Sequence, residues 1–191
     1  MKTQRIILVH YDEIAIKGKN RPIFENQLVS NIREKIKIGK LEGKVQKKYG
    51  RIDILIPDLE EKDSWIKLLQ TTFGIANFSF AILVEQDLDK IKKQCLEEIS
   101  KQKFESFCIA TQRSNKNFPI DSMEVSREVG SYIVEKLNKK VKLDNPDITC
   151  FINIVDNFSL IYSEKNPGPG GLPVGVSGKA IALLSGGIDS P

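Results

Sequence analysis

The residues with the clearest chemical potential are Ser185-Gly186-Gly187-Ile188-Asp189-Ser190, directly after the apolar run Ala180 to Leu184. A short buried strand entering a glycine pair and then Asp-Ser-Pro predicts a strand-to-helix turn that holds an anion. The two glycines remove the Cβ atoms that would keep a phosphate from the backbone N–H groups, and Ser185 and Ser190 add hydroxyl donors. Asp189 or Ser190 would cap a helix with Pro191 at its first position, pointing the positive end of that helix at the anion. The bland alternative is an ordinary strand-turn-helix corner, but the order of strand, glycine pair and helix start favours nucleotide binding.

Two polar stretches carry a second kind of chemistry. Lys17-Gly18-Lys19-Asn20-Arg21 places three cations at a helix N-terminus, where they oppose the helix dipole. A phosphate backbone passing there would explain them, as would plain solvation. Gln112-Arg113-Ser114-Asn115-Lys116-Asn117-Phe118-Pro119 combines cations for phosphate, amides able to read base edges and one aromatic. Phe118 fits either a stacking surface for a base or a core anchor that holds the loop.

Other chemistries are poorly supplied. His10 is the single histidine and lies in an apolar strand, so a Ser-His-Asp or Cys-His arrangement has little to build on, and a satisfied structural role is expected. Cys95, Cys108 and Cys150 are odd in number and lack Cys-x-x-Cys spacing, so all three read as buried thiols rather than metal ligands or a disulfide. No carboxylate pair stands out for acid-base work. No apolar run approaches the roughly 18 residues of a membrane span, and the expected setting is the cytoplasm. The net charge is +4, with the excess at the front: residues 1–75 hold 15 Lys/Arg against 10 Asp/Glu, and residues 76–165 hold 13 against 14. A polyanionic partner is favoured for the first segment.

The elements that must position these groups follow from periodicity. Ile6 to Val9 predicts a strand, and Phe24, Leu28, Ile32 and Ile36 one face of a helix that starts near Arg21 and ends at Gly39. Val45–Tyr49 and Arg51–Ile56 read as a hairpin about Gly50. A helix capped by Asp63 or Ser64 and stopped by Gly74, then a strand from Ile75 to Val84, completes the ferredoxin-like order. A second unit has a helix over Leu88 to Ile99, a strand Phe104–Thr111, a helix started by the Asp121/Glu124 capping box, and strands about Ile148–Ile154 and Phe158–Tyr162. Glycines and prolines between Pro167 and Gly178 mark a junction.

These pieces together resemble the tRNA 4-thiouridine synthetases, which also serve thiamine biosynthesis. The resemblance rests on Tyr11-Asp12-Glu13-Ile14-Ala15-Ile16-Lys17-Gly18-Lys19-Asn20-Arg21, on Phe24-Glu25 and Asn31-Ile32, and on Tyr49-Gly50-Arg51-Ile52 and Phe73-Gly74-Ile75. It continues through Arg113 with Lys116-Asn117-Phe118-Pro119, Pro146-Asp147, Gly170-Gly171-Leu172-Pro173-Val174-Gly175 and the terminal Ser185 to Pro191. It implies an α+β chain: a ferredoxin-like domain over residues 1–75, a THUMP RNA-binding domain over 76–165, a linker over 166–178, and over 179–191 the start of a PP-loop ATP pyrophosphatase domain.

The activity it implies is adenylation of uridine 8 of tRNA by ATP with Mg²⁺, followed by displacement of AMP by persulfide sulfur from a cysteine desulfurase. Leu183, Leu184, Ser185, Gly186, Gly187, Asp189 and Ser190 would begin the ATP site. Lys17, Lys19, Arg21, Arg113, Lys116, Asn117 and Phe118 would contact the acceptor stem and 3′ end of tRNA, and the family allows a homodimer. None of the three cysteines matches a persulfide position, so the chain is expected to bind tRNA without thiolating it. A different PP-loop enzyme would not need the basic loops. A THUMP-bearing methyltransferase or deaminase would lack the terminal motif, and a non-enzymatic RNA adaptor would need only the first two units.

Overall fold

The computed structural model describes residues 4–114, 118–155, 157–179 and 181. The apolar run Ile6–Val9 becomes β1 (Arg5–His10), buried on both faces as a near-continuous apolar strand should be. It lies antiparallel between β3 (Arg51–Ile56) and β4 (Asn77–Glu85). β2 (Lys44–Lys48) pairs with β3 across the Gly50 turn, where φ of +76° suits glycine. α1 (Arg21–Ile38) and α2 (Lys62–Gln70) pack Leu28, Ile32, Trp65 and Leu69 against Ile7, Val9, Ile52 and Ile54. The strand order β2-β3-β1-β4 with both helices on one face is the expected ferredoxin-like unit.

α2 begins at least two residues earlier than the sequence suggests: Glu61 is its N-cap without a side-chain bond, and Asp63 sits in the first turn. Gly74 does not stop this helix, which ends at Thr71. Gly74 adopts φ of +98° in the next turn, and its N–H donates to the Gly170 carbonyl at 2.8 Å.

β4 is long enough to serve two units. Its first part pairs with β1, and from Ile82 to Glu85 it pairs with β8 (Phe158–Tyr162), which continues through β7 (Ile148–Val155), β5 (Ser106–Arg113) and the short β6 (Lys140–Val141). One sheet therefore runs through both halves, with β5 and β7 parallel. α3 (Leu88–Ile99) is capped by Asp87, and α4 (Ser122–Leu137) by Asp121, which accepts from the Glu124 N–H at 2.9 Å as the capping spacing predicts. Together they bury Ile91, Cys95, Val125, Val129 and Ile133 against Phe107, Ile152 and Ile154.

Alternation then assigns the opposite, helix-free face. Ile6, Leu8, Ala81, Val155, Leu160 and Tyr162 form a separate buried cluster there. Cys95 and Cys150 are buried thiols as expected, whereas Cys108 is only half-buried because its strand position points to this helix-free side.

The glycine- and proline-rich tract is not merely a junction. β9 (Asn166–Pro167) pairs with the start of β4, Gly168 N–H donates to the Ala76 carbonyl, Gly170 N–H to Ile75, and Asn31 Nδ2 to the Val174 carbonyl at 3.0 Å. The segment leaves the second unit and straps back over the first. A Cβ at Gly168 would lie 2.2 Å from the Ile75 carbonyl oxygen. Gly168→Ala is therefore expected to cost about 1–3 kcal/mol and to expose the strap to protease first. Urea denaturation and limited proteolysis read the two effects.

Candidate nucleic-acid interface

The N-terminus of α1 is built from a 3₁₀ turn, Gly18–Asn20, followed by Arg21 and Pro22 in the first turn. The first turn holds no acidic residue, and Asn20 makes no capping bond, so nothing within that turn offsets the cations. Arg21 is fixed instead from the side. Its Nε donates to Glu25 Oε1 at 2.7 Å and its Nη2 to the Tyr11 hydroxyl at 2.9 Å, while that hydroxyl donates to the same Glu25 oxygen. Its guanidinium carbon is 5.5 Å from the Tyr11 ring centre and 5.4 Å from that of Tyr49. Three of the five guanidinium N–H donors remain for another partner.

Glu25 is buried and sits at the centre of this knot. Burial alone would raise its pKa, but hydrogen bonds from Tyr11 and Arg21 and the fields of Arg21 and Lys47 outweigh it, and the carboxyl falls below its ordinary value. Burial, followed by the bond to Glu25, raises the Tyr11 phenol. A carboxyl depressed on folding contributes stability above its unfolded pKa, and that contribution is lost as pH falls through the folded value. Urea midpoints should thus fall more steeply below about pH 4.5 for the native chain than for Glu25→Gln.

Lys47 Nζ lies 3.5 Å from Glu25 Oε2 and donates to Asn26 Oδ1 at 2.9 Å. The hairpin end Lys47-Lys48-Tyr49 thereby faces the start of α1, and the two enclose an open groove of about 600 Å³ that includes Gly18, Lys19 and Arg21. Glu25 is the one carboxylate among the described residues of its walls, and its Oε1 already accepts from Tyr11 and Arg21. Tyr49 stands 96% exposed at the rim. The groove can take a polyanion: four cations converge, one of them held rigidly, beside an exposed ring on which a base can stack.

Of the sequence-predicted residues, Lys19 and Arg21 line this groove. Lys17 lies beside it with its ammonium 5.5 Å from the Phe24 ring. Lys47, Lys48 and Tyr49 were missed because they sit some 26 residues away and read only as the end of a strand. The signal was present in the Lys-Lys-Tyr-Gly run, but only the β2–β3 register brings it to α1.

The loop after β5 differs from expectation. Phe118 is 5% exposed and packed in the core beneath α3 and α4, so it anchors the loop and offers no face to a base. Arg113 is half-buried, and its Nη1 donates to the carbonyls of Phe118 at 2.8 Å and Ile120 at 2.9 Å. It braces the loop from within. Lys116 and Asn117 lie outside the described residues, as do Leu183, Leu184, Ser185, Gly186, Gly187, Asp189 and Ser190. His10 is also unlike its expected satisfied state: among the described residues its side chain makes no hydrogen bond, and burial followed by the fields of Arg51 and Lys165 lowers its pKa. No group of metal-ligating side chains occurs among the described residues, and no helix there is long and apolar enough to cross a membrane.

Comparison with known proteins agrees with this architecture. The family model of the ThiI ferredoxin-like domain matches residues 6–79, and that of the THUMP domain matches residues 85–164. A probable tRNA sulfurtransferase of Acetivibrio thermocellus is 41% identical over 98% of this chain and 49% of its own length. PH1313 of Pyrococcus horikoshii superimposes with a TM-score of 0.84 at 34% identity, over 94% of this chain and 60% of that one. A 4-thiouridine synthetase solved with RNA and ATP gives 0.79 at 35% identity, over 98% of this chain and 48% of that one. The chain spans about half the length of the curated relatives it matches. Both family models match in tandem along a single sheet: the chain carries a ThiI ferredoxin-like domain followed by a THUMP domain, and over nearly its whole length it is similar to proteins named as probable tRNA sulfurtransferases.

Proposed function

We propose that this chain is the tRNA-holding part of a tRNA sulfurtransferase that makes 4-thiouridine. The observation that carries this reading is the groove between α1 and the β2–β3 hairpin, where Lys19, Arg21, Lys47 and Lys48 converge beside exposed Tyr49. The rigid Arg21 would grip a phosphate, the three lysines would follow the backbone, and the acceptor stem would lie along the groove with its 3′ end toward the second unit. The relative solved with RNA supports a nucleic-acid partner.

The finer chemistry is the family's. ATP with Mg²⁺, held at the Ser185 to Ser190 turn, would activate the uridine carbonyl, and a persulfide from a cysteine desulfurase would supply the sulfur. The same sulfur could feed thiamine thiazole synthesis, in the cytoplasm and from a homodimer. The described residues act only on the RNA: they bind, orient and exclude non-fitting duplexes.

A hairpin RNA and the DNA hairpin of the same sequence, each titrated into the chain, test this. A-form geometry and the 2′-hydroxyls should make the RNA bind at least about tenfold tighter. Equal binding of both would reduce the groove to a general polyanion site.

A further inference from the structure

At the edge of the sheet opposite β2, the strand β5 runs for eight residues, but its outer neighbour β6 pairs only with Ser106 and Phe107. From Cys108 to Arg113, β5 has no partner on that side among the described residues. Phe107 turns its carbonyl outward to accept the Lys142 N–H at 2.9 Å, and backbone alternation points the N–H and C=O groups of Ile109 and Thr111 the same way. Among the described residues nothing pairs with them there. Natural proteins normally cover or charge an edge left open like this.

This edge opens instead into a groove of about 720 Å³ between β5, α4 and the chain around β6. Met123, Gly130 and Val134 line it from one side of α4, and Val141 and Leu143 close its other end. A Cβ at Gly130 would meet nothing within 4 Å, so the space there is unfilled. Met123 and Leu143 stand 76% and 78% exposed, an apolar surface that a partner would cover. Two charged side chains share the lining: Glu135 is already paired with Lys136 at 3.1 Å, whereas Arg127 makes no ion pair or hydrogen bond among the described residues. Lys142, just past β6, makes no ion pair there either. An open ladder of backbone groups matches another peptide backbone, the apolar walls suit apolar side chains rather than phosphates, and the two cations call for acids.

We propose that this edge docks an extended segment of a partner protein, which adds a strand to β5 in line with β6. Its alternate apolar side chains would lie against Ile109, Val134 and Val141, and acidic residues at its ends would meet Arg127 and Lys142. The basic groove beside β2 lies at the other end of the strand order, so RNA and the peptide would be held at once. The inference does not depend on the RNA-binding reading.

The probe is a set of labelled heptapeptides with Asp or Glu at both ends, Ile, Val, Leu or Phe at the second, fourth and sixth places and Thr between them, titrated into the whole chain. A matched set with every second amide N-methylated keeps the side chains and removes donors for the ladder, and a set with Lys ends reverses the charge. The native chain should bind its best acidic peptides at least about tenfold tighter than their N-methylated or Lys-ended counterparts. Val134→Glu/Leu143→Asp, both at exposed positions and checked for folding by circular dichroism, should abolish this binding, and Arg127→Ala should narrow the preference for acidic ends. RNA affinity should stay as in the native chain. The N-methyl comparison needs no variant, so failure of every peptide to bind, or binding indifferent to N-methylation, overturns the proposal. It also falls if peptides fail while the chain forms a concentration-dependent dimer that the double variant abolishes, which assigns the edge to a second copy. A large loss of RNA affinity in the double variant would assign it to RNA, with the same result.

Discussion

Replacing Phe118 with alanine is expected to lower the stability of the chain by about 3–5 kcal/mol, the usual cost of emptying a buried aromatic site. The side chain is 5% exposed and packs in the core that α3 and α4 form over β5 and β7. Its carbonyl also receives the Arg113 guanidinium, so the cavity and the bond lie in one place. Chemical denaturation measures the loss. Phe118→Leu, which keeps most of the apolar volume, should recover much of it and bind RNA like the native chain. A base-stacking role would give the opposite pattern: little change in stability and a large loss of RNA affinity in both variants.

The second large effect concerns the groove. Changing Lys19, Lys47 and Lys48 together to alanine should weaken RNA binding roughly 100-fold at 0.1 M salt, since each phosphate contact releases close to one counterion. Stability should change little, because Lys19 and Lys47 are exposed, Lys48 is half-buried, and the one ion pair among them joins Lys47 to Glu25 at 3.5 Å. Arg21 is a poorer choice for this test, since its loss would also leave buried Glu25 short of a partner.

Much of the framework was legible in the sequence because periodicity reports burial directly. Ile148, Cys150, Ile152 and Ile154 alternate in sequence and are all buried in β7, and the Asp121/Glu124 spacing marks a real helix cap. What escaped depends on partners distant in sequence. Nothing local in the run Asn77 to Glu85 says that one strand joins two units, nor that Gly168 to Gly175 returns to the first of them.

The site was half legible for the same reason. Lys19 and Arg21 were recognised from their place at a helix start, where they oppose the dipole. Lys47, Lys48 and Tyr49 needed the hairpin register. Composition misled at Arg113 and Phe118: an arginine and an aromatic in a polar loop suggest RNA, but the loop must first be held to the core, and these two side chains hold it.

The most direct measurement of the central claim is the salt dependence of RNA binding by the native chain beside the Lys19/Lys47/Lys48 triple alanine variant. If phosphates lie in the groove, the slope of log affinity against log salt should be shallower in the variant by about 2 to 3, with the two lines converging near 1 M salt. Parallel lines of equal slope would mean that the RNA backbone lies elsewhere, and would contradict the account.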